Sequence, residues 1–441
     1  MSETNNIPLI ELTRVSKKYS TAGKGSVTIL DDISFVLRPG EIVAVVGKSG
    51  CGKSTLLRTI CGLIPIDNGV VLYRGKPITE PVATISMVFQ NFALFPWLNI
   101  LQNVELGLEA QGILQHERRQ RALKVIDMIG LDGFESAYPK EMSGGMCQRV
   151  GFARALVVNP DVLLMDEAFS SLDVPTAETL RNDLLDLWLE RRIPTQAILM
   201  VSHNIEEALF LANRMIILDT NPGRIKAEIE IPLKHPRDRE SAPFRQMMNR
   251  IYSIMTTAVV PNEAEFIKTS MAGVGYRLPS VTVAHLAGML EEINQPANNG
   301  VADLPSLAEA MQMEVDDLFP ILEVCELLDY ARVSGGKATL TQQGNVFAEA
   351  DIQRRKVIFG EHLLKRVPLI THIRRVLDDR PSQSAPESRF LRELEDYLAE
   401  EEAQRVLSVV IDWGRYAELF AYDYNSGIFS KENPGEETAP Q

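Results

Sequence analysis

The spacing of apolar and polar residues divides the chain into two parts. In roughly the first 260 residues, short apolar runs alternate with helical stretches. Three runs, at residues 42–46, 162–165 and 197–201, contain no polar side chain, which is typical of strands buried on both faces of a sheet. Further strands are predicted at residues 9–15, 27–30, 33–37 and 225–231. Strands that alternate with helices predict an α/β fold with a parallel core sheet.

A second domain is predicted to follow this part. A loop rich in proline and charge precedes a predicted helix at residues 244–258. We place the boundary near Pro261, which gives a first domain of residues 1–260 and a second domain of residues 261–430. The polar residues 431–441 are predicted to form a disordered tail.

The second domain is predicted to be mainly α-helical and to contain a winged-helix-like segment. Two short helices at residues 305–311 and 317–328 are separated by a tight turn. Short apolar segments flank Ser-Gly-Gly-Lys at residues 334–337, which is a hairpin pattern, and Thr341 begins another helix. Helix, turn, helix and hairpin is the order of a winged helix. Amphipathic segments follow at residues 352–377 and 390–420.

Composition and charge are those of a globular protein and disfavour membrane-spanning, secreted and nonspecific nucleic-acid-binding classes. The chain has 441 residues, of which 45% are hydrophobic and 24% charged, as in ordinary globular proteins. No apolar run approaches roughly 18 residues, and the first residues are polar, so we expect neither a membrane span nor a secretory leader. The four cysteines lack metal-ligand spacing and suit a reducing compartment. From Met271 onward, 16 basic residues face 28 acidic ones, a balance that disfavours nonspecific binding of nucleic acid.

A glycine-rich segment follows the first unbroken apolar run. Residues 47–54 fit the phosphate-loop pattern G-x-x-x-x-G-K-[ST], between a predicted strand and a predicted helix. Its glycines let backbone N–H groups close around phosphates, while Lys53 is expected to neutralise the β- and γ-phosphates and Ser54 to ligate Mg²⁺. A loop turned by glycines for packing alone is the alternative. The residues expected to bind ATP here are Gly47, Lys48, Ser49, Gly50, Cys51, Gly52, Lys53, Ser54 and Thr55.

A pair of carboxylates, Asp166 and Glu167, follows the second unbroken run. Ligand sites of parallel sheets lie beyond the carboxyl ends of the strands, so we expect this pair to face the phosphate loop. Asp166 is expected to hold Mg²⁺, directly or through water, and Glu167 to act as general base toward the attacking water. Taken alone, the pair would be better explained as a solvated strand end. The phosphate loop upstream makes it a predicted site of nucleotide hydrolysis.

In the order of its motifs, the region of residues 9–260 resembles the ATP-binding subunit of an ATP-binding-cassette (ABC) transporter. The turn Ser143-Gly144-Gly145 matches the family's signature, which contacts the γ-phosphate bound to the opposite subunit. The resemblance implies a P-loop ATPase fold with an antiparallel β subdomain and a helical subdomain at about residues 91–160. It also implies ATP and Mg²⁺ as cofactors and a second copy of the chain as partner, with two ATP molecules sandwiched between the copies.

The resemblance gives roles to four further residues. Gln90 matches the glutamine that senses Mg²⁺ and water, and His203 matches the histidine that contacts the γ-phosphate. Asp173 lies in the loop that crosses the dimer interface, and Tyr19 matches the aromatic residue that stacks on adenine. In isolation each has an ordinary structural explanation, and only their joint order points to this site. The implied catalytic residues are Gln90, Glu167 and His203, and the implied Mg²⁺ ligands are Ser54, Gln90 and Asp166.

Details of two motifs are similar to the branch that imports nitrate, taurine, aliphatic sulfonates or bicarbonate. They are Ser-Gly-Gly-Met-x-Gln-Arg at residues 143–149 and Phe-Pro-Trp at residues 95–97. The resemblance implies transmembrane permease subunits, which the aromatic segment 91–97 would contact, and indirectly a solute-binding protein. The chain would lie at the cytoplasmic face of the bacterial membrane. The region after residue 260 resembles the AAA-associated helical domain of some such ATPases, and we predict a regulatory role for it.

Three other functions are left open by the sequence. They are a soluble cassette protein of repair or translation, an exporter half, and an ATP-responsive transcriptional regulator that uses the winged helix. DNA binding is disfavoured because Glu323, Glu326 and Asp329 lie on or beside the would-be recognition helix and would repel phosphates. A basic stretch suits a solvated helix face, or else an acidic partner, a phosphate-bearing ligand or a membrane surface. Its residues are 354–356, 365–366 and 374–375.

Overall fold

The structure is a computed structural model that describes residues 7–20, 26–48, 50–220, 222–256, 278–313, 315–398 and 400–431. Internal contacts divide the chain into two compact units. The first unit comprises Met1–Tyr19 and Thr28–Met248, and the second comprises Ser20–Val27 and Asn249–Gln441. The predicted boundary at Pro261 and residues 432–441 of the predicted tail lie outside the described residues, so the domain limits stay a prediction.

Strands and helices alternate through residues 7–230, as the hydrophobic pattern predicts. The strands are β1 (Ile10–Ser20), β2 (Ser26–Leu37), β3 (Ile42–Gly47), β4 (Asn68–Tyr73), β5 (Lys76–Pro77), β6 (Ile85–Val88), β7 (Val162–Asp166), β8 (Ala197–Val201), β9 (Arg214–Leu218) and β10 (Ile225–Glu230). The helices are α1 (Lys53–Ile60), α2 (Ile100–Ala110), α3 (Gln115–Met128), α4 (Gly144–Leu156), α5 (Val174–Leu189) and α6 (Ile205–Leu211).

A six-stranded sheet forms the core of the first unit. Its strand order is β10-β9-β3-β8-β7-β6, and only β10 runs antiparallel to its neighbour. Every residue of β3, β7 and β8 is buried, which confirms the three strands predicted from unbroken apolar runs. Because the strands are parallel, the residues that follow β3, β6, β7 and β8 meet at one edge of the sheet.

A second, four-stranded sheet has the order β2-β1-β4-β5. The prediction of separate strands at residues 27–30 and 33–37 is wrong, because β2 continues through both. Asp32, with a φ of 55°, lies in a left-handed conformation within this strand, and its N–H donates to Ser16 Oγ at 3.2 Å. The polar pair of residues 31–32 therefore marks a local irregularity and not a turn.

The helical segment between β6 and β7 has a hydrophobic core of its own. Helices α2, α3 and α4 pack around Ile100, Val104, Ile126 and Val150, all fully buried. Ser143 begins α4 as its N-cap, since its Oγ accepts a hydrogen bond from the Met146 N–H at 3.3 Å. This segment positions the signature turn at the start of a helix.

The second unit is mainly helical. Helix α7 (Ala242–Thr256) contains Met248, the last residue of the first unit. The helices that lie wholly in the second unit are α8 (Val283–Ile293), α9 (Leu304–Met311), α10 (Val315–Leu327), α11 (Gln342–Glu349), α12 (Ile352–Arg366), α13 (Pro368–Asp378), α14 (Glu387–Glu395) and α15 (Glu400–Tyr416). Its strands are β11 (Val301–Asp303), β12 (Ala331–Ser334), β13 (Lys337–Leu340), β14 (Ser384–Pro386), β15 (Ala421–Asp423) and β16 (Ile428–Ser430).

The order of helix, turn, helix and hairpin predicted for this unit is present in α9, α10, β12 and β13. Strand β11 pairs with β13 and completes a three-stranded antiparallel sheet, which the sequence did not reveal. Each of the two long amphipathic segments is divided into two helices. Helix α12 ends before Pro368, which begins α13, because proline disfavours a helical residue before it.

Candidate nucleotide site

The phosphate loop between β3 and α1 turns on glycines. Gly50 and Gly52 have φ values of 79° and 95°, in the left-handed region that favours glycine. At Gly47 an added Cβ would lie 2.7 Å from the Leu218 carbonyl oxygen and 2.9 Å from Cys51 Sγ. The loop therefore closes tightly on the sheet at the start of a helix, where backbone N–H groups favour an anion.

Lys53, the first residue of α1, is a buried cation, only 6% exposed. Its Nζ donates hydrogen bonds to the carbonyl oxygens of Gly47 at 2.8 Å and Lys48 at 3.4 Å. Among the described residues, no carboxylate forms an ion pair with it. A buried ammonium group without a directly paired anion is unfavourable, so the residues present here fit the phosphates of a nucleotide.

Ser54 and Asp166 meet beside this lysine. The Ser54 hydroxyl donates to Asp166 Oδ1 at 2.8 Å. Burial raises the pKa of the Asp166 carboxyl, and the Ser54 hydrogen bond and the Lys53 charge offset only part of that rise. A buried carboxyl of this kind is stabilised as the anion by a cation. One carboxylate and one hydroxyl are oxygen donors of the class that Mg²⁺ takes at nucleotide sites, with phosphates completing the shell.

Glu167 brings the three predicted catalytic residues together. Its Oε2 accepts a hydrogen bond from Gln90 Nε2 at 3.0 Å and lies 3.4 Å from His203 Nδ1. The hydrogen bond with His203 holds the pKa of Glu167 below its ordinary value, although burial opposes this. The carboxylate is therefore ionised near neutral pH and can accept a proton, as a general base must.

The loop after β8 is fixed by residues that the sequence analysis did not assign. Asn204 caps α6, because its Oδ1 accepts from the Glu207 N–H at 2.8 Å. Asn204 thus fixes the start of the helix that follows His203. The Glu207 carboxyl is 6% exposed, and its Oε2 lies 3.8 Å from Arg181. The signal that could have identified this pair is the position of Glu207 among the apolar residues of α6.

The signature turn is exposed, while the helix behind it is buried. Ser143 and Gly144 face solvent, and a Cβ at Gly144 would meet only Phe92, at an ordinary 3.6 Å. At Gly145, by contrast, a Cβ would lie 2.2 Å from Thr176 Cγ2 of α5. Packing within the chain therefore explains Gly145 and leaves Gly144 unexplained.

Asp173 begins α5 next to this turn. Its Oδ1 accepts from the Thr176 N–H at 3.1 Å, and its hydrogen bonds with Thr176 lower the pKa of the carboxyl. The predicted dimer-loop residue is thus the N-cap of the helix on which the signature packs.

Asn103 of α2 was not predicted from the sequence, but it fixes the aromatic segment. Its Nδ2 donates to the carbonyl oxygens of Phe95, Leu98 and Asn99, and its Oδ1 accepts from the Phe95 N–H at 2.8 Å. Phe95 and Trp97 remain 42% and 69% exposed, with ring centroids 5.2 Å apart. An asparagine on the apolar face of α2 was the available signal.

The other residues predicted to bind ATP include Tyr19, Ser49, Cys51 and Thr55. Tyr19 is 44% exposed, and Lys17 Nζ lies 5.4 Å from its ring centroid. Thr55 belongs to α1, and Ser49 lies outside the described residues. Cys51, Cys61, Cys147 and Cys325 are buried and free of disulfide bonds. Within the described ranges, no cluster of three or more His, Cys, Asp or Glu side chains is arranged to hold a metal.

Comparisons with known proteins identify the families that two regions of the chain match. Residues 30–170 match the family "ABC transporter", and residues 305–423 match the C-terminal AAA-associated domain. In the part of the chain that the structure describes, no helix is long and apolar enough to span a membrane.

Two relatives and one solved structure show the extent of the similarity. The chain is 43% identical over 261 residues to the nitrate import ATP-binding protein NrtD of Synechocystis sp., covering 59% of this chain and 92% of that protein. It is 38% identical over 244 residues to the aliphatic sulfonates import ATP-binding protein SsuB of Bacillus cereus, covering 55% and 94%. A dimeric post-hydrolysis structure of the ATP-binding cassette MJ0796 with ADP and Pi aligns with a TM-score of 0.46 and 32% identity, covering 51% of this chain and all of that one. The chain belongs to the ATP-binding ATPases of ABC transporters.

Proposed function

We propose that this chain is the ATP-hydrolysing subunit of an ABC importer for a small anion such as nitrate or an aliphatic sulfonate. The observation that carries the catalytic assignment is the meeting of Gln90 and His203 on the Glu167 carboxylate, beside the Ser54–Asp166 pair. The similarity to nitrate and sulfonate import proteins supports the substrate class.

The residues of this site divide the work of hydrolysis. ATP is the substrate whose γ-phosphoryl group is transferred to water. Mg²⁺, when bound, would supply positive charge that neutralises the phosphate oxygens. Lys53 and the glycine loop bind and orient the phosphates, while Ser54, Asp166 and Gln90 would hold the cation. Glu167 takes a proton from the attacking water, and His203 orients the carboxylate and contacts the γ-phosphate. Tyr19 stacks on the adenine ring.

The exposed signature turn supports a dimer as the active form. Ser143 and Gly144 stand at the start of a 13-residue helix, open to solvent, and the described hydrogen bonds of Ser143 stay within α4. Helix N-termini favour anions, so a second copy would present this turn to the γ-phosphate held by the first copy's loop. A side chain added at Gly144, for which packing within the chain leaves space, would then enter that contact.

Membrane subunits are the proposed partners of the aromatic segment. Phe95 and Trp97 expose apolar surface on a loop that Asn103 holds in place, which is the property of a docking site. We propose that closure of the ATP dimer moves permease subunits through this segment. The chain would then lie peripherally at the cytoplasmic face of the bacterial membrane and receive substrate indirectly from a solute-binding protein.

The test of the proposed function is the substitution Glu167→Gln. Loss of the proton acceptor should reduce the steady-state rate of ATP hydrolysis by roughly 10²-fold or more. Binding should persist, because the phosphate loop is unchanged, so ATP-bound dimers should accumulate in size-exclusion chromatography. Multiple-turnover hydrolysis at the wild-type rate would contradict the assignment of Glu167.

A DNA-binding regulator is not favoured by the second unit. Helix α10 occupies the position of a recognition helix, yet of its described side chains only that of Asp317 is exposed. Glu326 Oε1 accepts from the Val333 N–H at 2.9 Å, so that carboxylate is used within the fold. A recognition helix needs an exposed face that enters the major groove.

The basic stretch is also used largely within the second unit. Arg355 donates to the Phe347 carbonyl oxygen at 3.1 Å, and Lys356 Nζ lies 2.6 Å from Glu418. Arg366 lies 3.1 Å from Asp329, and Arg374 donates to the Leu419 carbonyl. Four of the seven cations thus stabilise the domain, which supports a structural face and not a site for phosphate or membrane. We propose that this domain regulates the ATPase or its docking.

A further inference from the structure

The backbone at Glu167 has an uncommon conformation. Its φ of 47° lies in the left-handed region, which disfavours residues that carry a Cβ. Such a conformation persists where the surrounding bonds hold it, and it is frequent at functional sites. On one side of the residue, the Glu167 N–H donates to the Val201 carbonyl oxygen at 3.0 Å.

Gln148 of α4 holds the backbone on the other side. Its Nε2 donates a hydrogen bond to the Ala168 carbonyl oxygen, and its side chain is fully buried. Its Oε1 is buried and has no hydrogen-bond partner in the described part of the chain. An unpaired buried acceptor is unfavourable, so a glutamine kept here for packing alone would be a poor choice.

Helix α4 also holds the loop that carries Gln90. Arg154 donates to the carbonyl oxygen of Phe92 at 3.2 Å and to that of Ala93. Gln90 in turn donates to Glu167 Oε2 at 3.0 Å. One helix therefore fixes both loops whose side chains meet at the Glu167 carboxylate.

We infer that Gln148 is a positioning residue for hydrolysis: its bond to Ala168 holds the backbone that aims the Glu167 carboxylate at Gln90 and His203. This inference rests on the proposed role of Glu167 as general base. A carboxylate displaced by a fraction of an ångström transfers protons poorly. ATP binding depends instead on Lys53 and the glycine loop, which Gln148 does not contact through its described hydrogen bond.

The test is Gln148→Leu in the full-length chain, which keeps the volume of the side chain and removes its donor. We expect kcat for ATP hydrolysis to fall about 10-fold or more while KM and the Kd for ATP change less than about 3-fold. The matched control is Gln196→Leu. Gln196 Nε2 donates to Asp161 Oδ1 at 2.7 Å at the opposite end of the core strands, so its loss should leave kcat unchanged.

A double-mutant cycle separates positioning from a general loss of structure. If Gln148 acts through Glu167, then Gln148→Leu should lower the residual rate of a Glu167→Gln chain by less than about 2-fold. An unchanged kcat in the single variant, or fully additive losses in the double variant, would overturn the inference. A parallel loss of kcat and ATP affinity that Gln196→Leu also shows would overturn it as well.

A second variant tests the inference if the first does not fold, and the Glu167→Gln variant separates the two proposals. If Gln148→Leu does not fold, Gln148→Ala leaves space for a water to bond to the Ala168 carbonyl and is judged by the same split between kcat and KM. If wild-type protein hydrolyses ATP but Glu167→Gln does so equally well, the proposed role of Glu167 fails. If Glu167→Gln is inactive and Gln148→Leu is fully active, only the positioning inference fails.

Discussion

Burial changes the pKa of one carboxyl group near the site, that of Glu207. Burial raises its pKa from the ordinary 4.5 to about 7, and the Arg181 charge and a hydrogen bond with Ser202 offset part of that rise. A carboxyl whose pKa is higher in the folded than in the unfolded chain is stabilised as the acid. The free energy of unfolding therefore falls as pH rises from about 4.5 to about 7.

Glu207→Gln should remove this pH dependence, because an amide does not titrate. Relative to wild type, the free energy of unfolding of the variant should rise by on the order of 2–3 kcal/mol between about pH 5 and pH 8. Urea unfolding at several pH values measures the difference. The control is Glu206→Gln, since the Glu206 side chain is 40% exposed and pairs with Arg239 at the surface. A difference between Glu207→Gln and wild type that does not vary with pH would contradict a protonated Glu207 in the fold.

At the scale of elements, the contact of α4 with α5 joins the signature turn to the predicted dimer loop. A Cβ at Gly145 would lie 2.2 Å from Thr176 Cγ2, whereas at Gly144 the nearest atom, of Phe92, is 3.6 Å away. The two helices therefore approach so closely at Gly145 that a side chain there would clash. Gly144, one residue earlier, has space for a side chain.

Gly145→Ala should destabilise the protein by about 1–3 kcal/mol, because the added methyl group must displace Thr176. Gly144→Ala is the matched control and should change stability by less than about 0.5 kcal/mol, while ATPase activity falls if the turn contacts phosphate. Adding Thr176→Ser to Gly145→Ala removes the clashing methyl group and should restore most of the loss. Equal stability of the two alanine variants in urea unfolding would show that the close approach does not constrain the helices.

At the scale of the whole molecule, the two parts of the chain differ in charge and in their similarity to known proteins. Residues from Met271 onward carry −12 of the net charge of −14. The match to the nitrate import protein uses 59% of this chain and covers 92% of that protein. The match to the sulfonate import protein uses 55% of this chain and covers 94% of that protein. ATPases of this family thus occur at the length of the cassette alone, and the second domain is an addition to it.

Deletion of residues 265–441 should therefore leave a cassette that binds ATP but has altered regulation. We expect the rate of transport in vesicles reconstituted with the permease subunits, or its response to substrate, to differ from that of the full chain. The truncated cassette with Glu167→Gln serves as the inactive control. Identical rates and identical regulation in the two lengths would remove the basis for a regulatory domain.

The features that the sequence predicted correctly are local. The strands β3, β7 and β8 were predictable because burial on both faces of a sheet favours an unbroken run of apolar side chains. The phosphate loop was predictable because its turns favour glycine at fixed spacing. Strand β9 was missed, since its apolar residues follow those of α6 almost without a break. Two strands were predicted on either side of Asp31 and Asp32, although pairing with β1 carries β2 through both residues.

The features that only the tertiary structure decided join residues distant in the chain. Gln90 and Glu167 are 77 residues apart, and Gln148 reaches a carbonyl 20 residues away. The resemblance named Gln90 but could not show its bond, and the motif that contains Gln148 could not show which group its buried side chain contacts. By itself the sequence determined where the glycine-rich loop predicted to bind phosphate lies, because that loop needs particular residues at short spacing. The fold decided how Glu167 is aimed, because the bonds that fix it come from separate strands and helices.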